Sequence, residues 1–310
     1  MVLSGESKPL SKDFTVQTPH EDLATLNLLK GIADIGPRFS EDILKQTISL
    51  YEPYASKSIS PHKIELDLSY GDHPRQVLDL YGSNEGAPLL LFVHGGGFVA
   101  GGKKINELFY SNVGHYFARH GVAVAMMNYR LAPEFTWPSA AYDIVQCLDW
   151  LKNNRPKNQK LIVVGQSAGA AHVATYLTDN MFFEHAAQHV AGAVLMSGFY
   201  NTLSPMSPGA KSYFGDDAVL LEQRSPILKV ANLKIPVLLT LAQFDPPGIA
   251  LQTLALASQI TQIQQAAPPL NCLAGHNHVS TVLSIGSPQK EIGELLIKYV
   301  RYFSQLGSVQ

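Results

Sequence analysis

Two spacings of apolar residues alternate along most of this chain. Ala87–Val93 (APLLLFV), Val122–Met127, Leu161–Val164, Ala191–Met196, Ile235–Leu241 and Pro269–Leu273 are short, nearly continuous apolar runs. A strand without polar alternation buries both faces, as strands of a parallel sheet do. Between these runs, apolar residues recur at helical spacing over about Ile105–Arg119, Ser139–Lys152, the stretch after Ser167, Ile249–Ile263 and Gln289–Phe303. Ahead of them, His62–Ser69 and Gln76–Tyr81 alternate apolar and polar residues around Gly71 and Asp72, which predicts a half-exposed hairpin. Eight strands interleaved with helices predict the α/β class: a mostly parallel sheet with helices on both faces.

The two ends of this rhythm differ from its middle. Residues 1–18 read as polar and loosely ordered, whereas Asp22–Ile35 and Ser40–Tyr51 predict two amphipathic helices. Ser40 is placed to cap the second, with Glu41 and Asp42 in its first turn. Two helices cannot make a core alone, so they are expected to pack on the main domain. Between Ser197 and Ile235 the pattern gives no strand, only a segment rich in Pro and Gly. Long connections beyond the C-terminal edge of an open α/β sheet are often lids over the ligand crevice. The expected organisation is one domain over 1–310, with 1–60 as an N-terminal helical cap segment and 200–233 as a cap or lid insertion. A plain surface excursion is the alternative for the latter.

Composition narrows the class. With 310 residues, 46% hydrophobic and 15% charged, the chain can bury a large core without staples. A net charge of -2 offers no electrostatic footprint for nucleic acid or an anionic membrane. No apolar run approaches the roughly 18 residues of a membrane span. The N-terminus lacks a signal-peptide core and the sequence lacks an N-x-[ST] site, so a cytoplasmic location is expected. Cys147 and Cys272 lie in apolar contexts and read as buried free thiols, with a disulfide between them as the alternative. No Cys/His cluster has zinc-ligand spacing, and neither a metal nor an organic cofactor is expected.

The sharpest signal is Leu161–Ala171, LIVVGQSAGAA. An apolar strand runs into Gly165-Gln166-Ser167-Ala168-Gly169 and then into a helix. A G-x-S-x-G turn of this kind lifts a serine hydroxyl above the sheet and sets the Ala168 N–H at a helix N-terminus. Serine needs a base and an orienting acid to become a nucleophile. Asp245 follows the apolar strand Ile235–Leu241 in a proline-stiffened loop, and His276 and His278 follow the strand ending at Leu273. His278 is preferred as base, with His276 shaping the loop. Strand Ala87–Val93 runs into His94-Gly95-Gly96-Gly97-Phe98, whose glycines allow backbone N–H groups to face a developing oxyanion. Gly96, Gly97 and Ala168 are the candidate oxyanion donors. Gly97–Lys103 (GFVAGGK) also fits a phosphate loop, but Lys104 stands where Ser or Thr would bind magnesium, which argues against it. His94 reads as a structural strand-end residue.

Together HGGGF (His94–Phe98), NYRLAPE (Asn128–Glu134) and GQSAG resemble the hormone-sensitive-lipase-like group of α/β-hydrolase carboxylesterases, as does Tyr213–Pro226. The likeness runs from about Leu78 to the C-terminus. It implies an eight-stranded α/β-hydrolase with a small helical cap, and a serine esterase in which Ser167, Asp245 and His278 form the triad. In the group, the tract matching YRLAPE supports the active-site loops. The chain departs from it at Gln166 and Asn128, where many members carry Asp, and at Asp245-Pro246-Pro247. His278-Val279 is also similar to arylformamidases (kynurenine formamidases). The expected substrate is a small, short-acyl ester, with a formamide such as N-formylkynurenine as the alternative; a non-catalytic ligand receptor is the alternative of another class. Because the group often forms dimers, a homodimer is also an expectation, although no interface is legible.

Overall fold

The computed structural model describes residues 23–55, 62–82, 87–155 and 161–306. The polar stretch 1–18, Asp22 and the last residues of the 1–60 segment before His62 lie outside the described residues. In chain order the elements are α1 (Leu23–Ile35), α2 (Glu41–Tyr51), β1 (Ile64–Ser69), β2 (Val77–Tyr81), β3 (Leu89–Val93), α3 (Ser111–Arg119), β4 (Ala123–Met127) and α4 (Ser139–Asn154). Then follow β5 (Leu161–Gln166), α5 (Ala168–Thr178), α6 (Phe183–His189), β6 (Val190–Met196), α7 (Pro208–Phe214) and α8 (Ala218–Gln223). The chain continues with β7 (Val237–Phe244), α9 (Pro247–Gln264), β8 (Leu270–Asn277), α10 (Ser280–Leu283) and α11 (Glu291–Leu306).

The strands form one eight-stranded sheet in the order β1-β2-β4-β3-β5-β6-β7-β8. β1 and β2 pair antiparallel, β2 meets β4 antiparallel, and β3 to β8 run parallel. The unbroken apolar runs have a direct cause. Leu89, Leu91 and Val93 of β3 join one core, while Leu90 and Phe92 point into the other. β4 and β5 divide in the same way, Val163 to the first core and Ile162 and Val164 to the second. Helices α4 and α5 cover the first face; α3 and α11 cover the second. From β3 the chain crosses to β4 on one side, and from β5 to β6 on the other. The order therefore switches between β3 and β5, and a ligand crevice belongs at their C-terminal ends.

Helices α1 and α2 rest beside that crevice. Leu28, Ile32, Ile43 and Tyr51 pack with Phe109, Val279 and Leu283. Ser40 accepts a hydrogen bond from the Ile43 N–H at 3.2 Å, which starts α2 where the sequence predicts.

Several local expectations change. The helix expected from Ile105 begins only at Ser111; Asn106 Oδ1 instead accepts from the N–H groups of Leu108 and Phe109 and holds that stretch in turns. Helix α6 is an addition. The 200–233 segment contains α7 and α8 and a 3₁₀ turn over Pro226–Asn232, so its irregular sequence hides short helices. Cys147 is buried, but Cys272 is exposed, because β8 is an edge strand with an outward face.

Candidate active site

Ser167 occupies the turn between β5 and α5 with φ 56° and ψ −120°. That backbone region is costly for a residue with a Cβ, and the surroundings hold it there. The Ser167 N–H donates to the Met196 carbonyl at 2.8 Å. A side chain on Gly165 would come within 2.6 Å of the Gly169 carbonyl oxygen, and one on Gly169 would strike the Val93 and His94 carbonyls. The two glycines thus let β5, β3 and α5 meet closely enough to fix the turn.

The loops after β7 and β8 supply the partners. The Ser167 hydroxyl lies 2.8 Å from His278 Nε2, and His278 Nδ1 lies 2.7 Å from Asp245 Oδ1. A carboxylate only accepts, so Nδ1 carries the ring proton and Nε2 is left as acceptor for the serine. Asp245 is buried, and its second oxygen accepts from Ser197 Oγ at 2.6 Å and the Ala242 N–H at 2.7 Å. Pro247 opens α9 with its φ preset, which fixes where the Asp245 loop ends. His278 is also held from behind: its carbonyl accepts from Gln166 Nε2 at 3.1 Å and from Thr281 Oγ1 at 3.0 Å. An aspartate at position 166 could not make the first of these bonds, so the departure at Gln166 has a local use. His276 faces elsewhere, with Nδ1 3.1 Å from Ser280 Oγ, and burial lowers its pKa to about 4.

The glycine loop after β3 stands opposite. Gly96 and Gly97 have φ of 138° and 59°, conformations that favour glycine, and a Cβ on Gly97 would meet nothing within 4 Å. His94 is fully buried, stacked on Tyr129 at 4.3 Å between ring centroids; burial lowers its pKa to about 3. The Tyr129 hydroxyl donates to the His94 carbonyl at 2.9 Å, and the Ala132 N–H donates to Phe98 at 3.1 Å. The 128–134 tract therefore braces the glycine loop. Lys103 is no phosphate ligand: its ammonium is buried against Asp79 and 2.8 Å from Asp67 Oδ1.

Two cavities meet at Ser167 and His278. The larger, about 670 Å³, is lined by Gly97, Ala168, Phe98, Phe199, Ile249 and Leu251 among others, with no Asp, Glu, Lys or Arg among its described residues. The smaller, about 300 Å³, is lined by Gly96, Leu44, Ile105, Val282 and Leu283, with Lys104 as its charged member. Phe39, just before α2, borders both, its ring edge-on to His278 with centroids 5.2 Å apart. Of the 200–233 segment, residues 201–210 reach the larger cavity, whereas the 3₁₀ turn packs on α5 and α9. The sequence did not single out Ser197 or Phe39, and it marked Gln166 only as a departure from the group's usual Asp. Ser197, directly past the end of β6, had a positional signal; Phe39 had none.

No helix among the described residues is long and apolar enough to cross a membrane. A family profile described as alpha/beta hydrolase fold matches residues 90–246. An isoprenylcysteine alpha-carbonyl methylesterase of Arabidopsis thaliana is 30% identical over 149 residues, 46% of this chain and 34% of that protein. The match therefore spans about a third of that relative's length. An ethyl acetate hydrolase of Pseudomonas putida is 28% identical over 243 residues, covering 70% of this chain and 72% of that one. A kynurenine formamidase of Salmo salar is 20% identical over 271 residues, covering 84% and 90%. Among solved structures, esterase B from Lactobacillus rhamnosis aligns with a TM-score of 0.68 at 21% identity, over 91% of this chain and 98% of that one. At that identity the likeness is one of fold.

Proposed function

The chain belongs to the alpha/beta hydrolase fold family, and from that premise we propose that it is a carboxylesterase working through an acyl-enzyme on a Ser-His-Asp triad. The observation that carries this reading is the relay from Ser167 through His278 to Asp245, opening onto an apolar cavity. Ser167 attacks the ester carbonyl. His278 takes the serine proton and delivers it to the leaving alcohol, then activates the water that releases the acid. Asp245 holds the imidazole tautomer and stabilises the imidazolium. The backbone N–H groups of Gly96, Gly97 and Ala168 receive the oxyanion. The apolar, uncharged lining of the larger cavity favours a neutral substrate. A short acyl group is favoured by the match to an ethyl acetate hydrolase over most of its length. In this reading the chain is one catalytic domain, roofed by the N-terminal helices and by residues 201–210.

A second reading, an arylformamidase, draws on the near full-length match to a kynurenine formamidase. Hydrolysis of p-nitrophenyl esters from acetate to decanoate, run beside N-formylkynurenine with wild type and Ser167→Ala, separates the two. Ester turnover that falls with chain length and vanishes in the variant supports the esterase. Fast deformylation with poor ester turnover replaces it with the formamidase. Absence of both overturns the enzymatic reading.

A further inference from the structure

Helices α4 and α6 bring three ligand-type side chains together on the outer side of α5. Asp149 stands on α4, and His185 and His189 stand one turn apart on one face of α6. One oxygen of the carboxylate and one nitrogen of each imidazole lie within 4.8 Å of one another. The two rings are stacked, with centroids 4.1 Å apart and 11° between planes.

Hydrogen bonds decide which nitrogens face the group. His189 Nδ1 lies 2.8 Å from the His185 carbonyl, which can only accept, so Nδ1 carries the proton and Nε2 the lone pair. A cation already faces that lone pair: the Lys152 ammonium donates to it at 2.9 Å. His185 Nδ1 lies 2.8 Å from the Tyr176 hydroxyl, and its Nε2 lies 3.2 Å from Asp149 Oδ1. A hydroxyl accepts as well as donates, so the His185 proton can move to Nδ1 and leave Nε2 free to ligate. One nitrogen tied to a carbonyl or hydroxyl, with the other turned to the shared centre, is how proteins present imidazole to a metal. His185 and His189 have the i, i+4 spacing of a ligand pair, a signal the expectation of no zinc-ligand spacing passed over; the carboxylate comes from another helix, 36 positions away.

We propose that Asp149, His185 and His189 form a site for a divalent transition metal, with zinc the best match to two imidazoles and one carboxylate. A water would complete the tetrahedron. Lys152 holds the position in the metal-free chain and swings to solvent on binding. Both supporting helices pack on α5, whose Tyr176 is the buried outer partner, so the metal would brace the nucleophile helix from outside rather than join the chemistry.

The test is calorimetric titration of the EDTA-treated full chain with zinc chloride, paired with thermal unfolding and the visible spectrum of the cobalt(II) form. Expected are about one zinc per chain, a raised Tm and a tetrahedral cobalt band. Binding should weaken about tenfold to a hundredfold in His189→Ala and in Asp149→Asn, whose site is exposed enough to spare the fold. Lys152→Met should bind zinc more tightly, and His278→Ala should bind it as wild type does. No saturable uptake, or uptake undiminished in both ligand variants, overturns the site. Weaker binding by Lys152→Met overturns the role given to the lysine.

Discussion

The floor and the roof of the cavities are built by different means. On the floor, Ser167, His278 and Asp245 sit directly past strand ends, and neighbours hold each one: Met196 for the serine, Gln166 and Thr281 for the histidine, Ser197 and Ala242 for the aspartate. The roof is made of Phe39, Leu44, Pro205 and their neighbours, which meet the cavities through apolar contact. Hydrogen bonds demand particular atoms at particular distances; apolar contact demands mainly bulk. Changes in the floor should therefore act on the chemical step, and changes in the roof on the choice of substrate.

The largest effect tests the floor as a unit. Ser167→Ala and His278→Ala should each lower kcat about 10⁵- to 10⁶-fold, and the double variant should lose little more. His276→Ala should only weaken turnover; the reverse result moves the base to His276. Next, Asp245→Asn should cost about 10⁴ in kcat because the imidazole tautomer is no longer fixed. Ser197→Ala removes one charge-assisted bond to Asp245 and should lower kcat about tenfold to a hundredfold with KM little changed. A change confined to KM would place Ser197 on the roof side of the comparison. Phe39→Ala, at an exposed position, should alter the kcat/KM ratio of long to short esters by about fivefold while kcat on the acetate holds. Loss of kcat on every ester alike would mean that Phe39 orients His278.

The smallest effect is on stability beneath the floor. His172 is buried among Phe98, Tyr129 and Tyr213, and its Nε2 finds no hydrogen-bond partner among the described residues. Burial lowers its pKa to about 3, and His94 behaves alike. The unfolded chain protonates a histidine near pH 6.5, so it binds more protons than the folded chain between that pH and about 3. Stability from these residues is full above about pH 6.5 and falls as pH drops, each adding up to ~1.4 kcal/mol per pH unit to the slope. His172→Phe should flatten that acid limb in a plot of Tm against pH. An unchanged slope would mean that His172 takes up its proton as readily in the fold as in the unfolded chain.

The same contrast governs what could be read from the chain. The strands were legible because burial on both faces leaves unbroken apolar runs, as in Leu89–Val93. Ser167 was legible because Gly165 and Gly169 have no room for a side chain. His278 and Asp245 were legible by strand-end position and chain order. The 200–233 segment was not: α7 and α8 are too short for periodicity to emerge, and their caps, Ser207 and Asp217, look like ordinary loop residues. The reach of Phe39 into both cavities depends on how α1 and α2 settle against Val279 and Leu283, which no local pattern encodes.

The relay joins residues far apart in the chain. Ser167 and His278 are separated by 111 positions, and Asp245 and His278 by 33. In the proposed mechanism the reactive centre exists only while β5, β7 and β8 keep register. If the proposed triad carries ester turnover, that turnover is a built-in gauge of native order. In rising urea it should fade no later than the helical circular-dichroism signal does, and in refolding it should return no earlier.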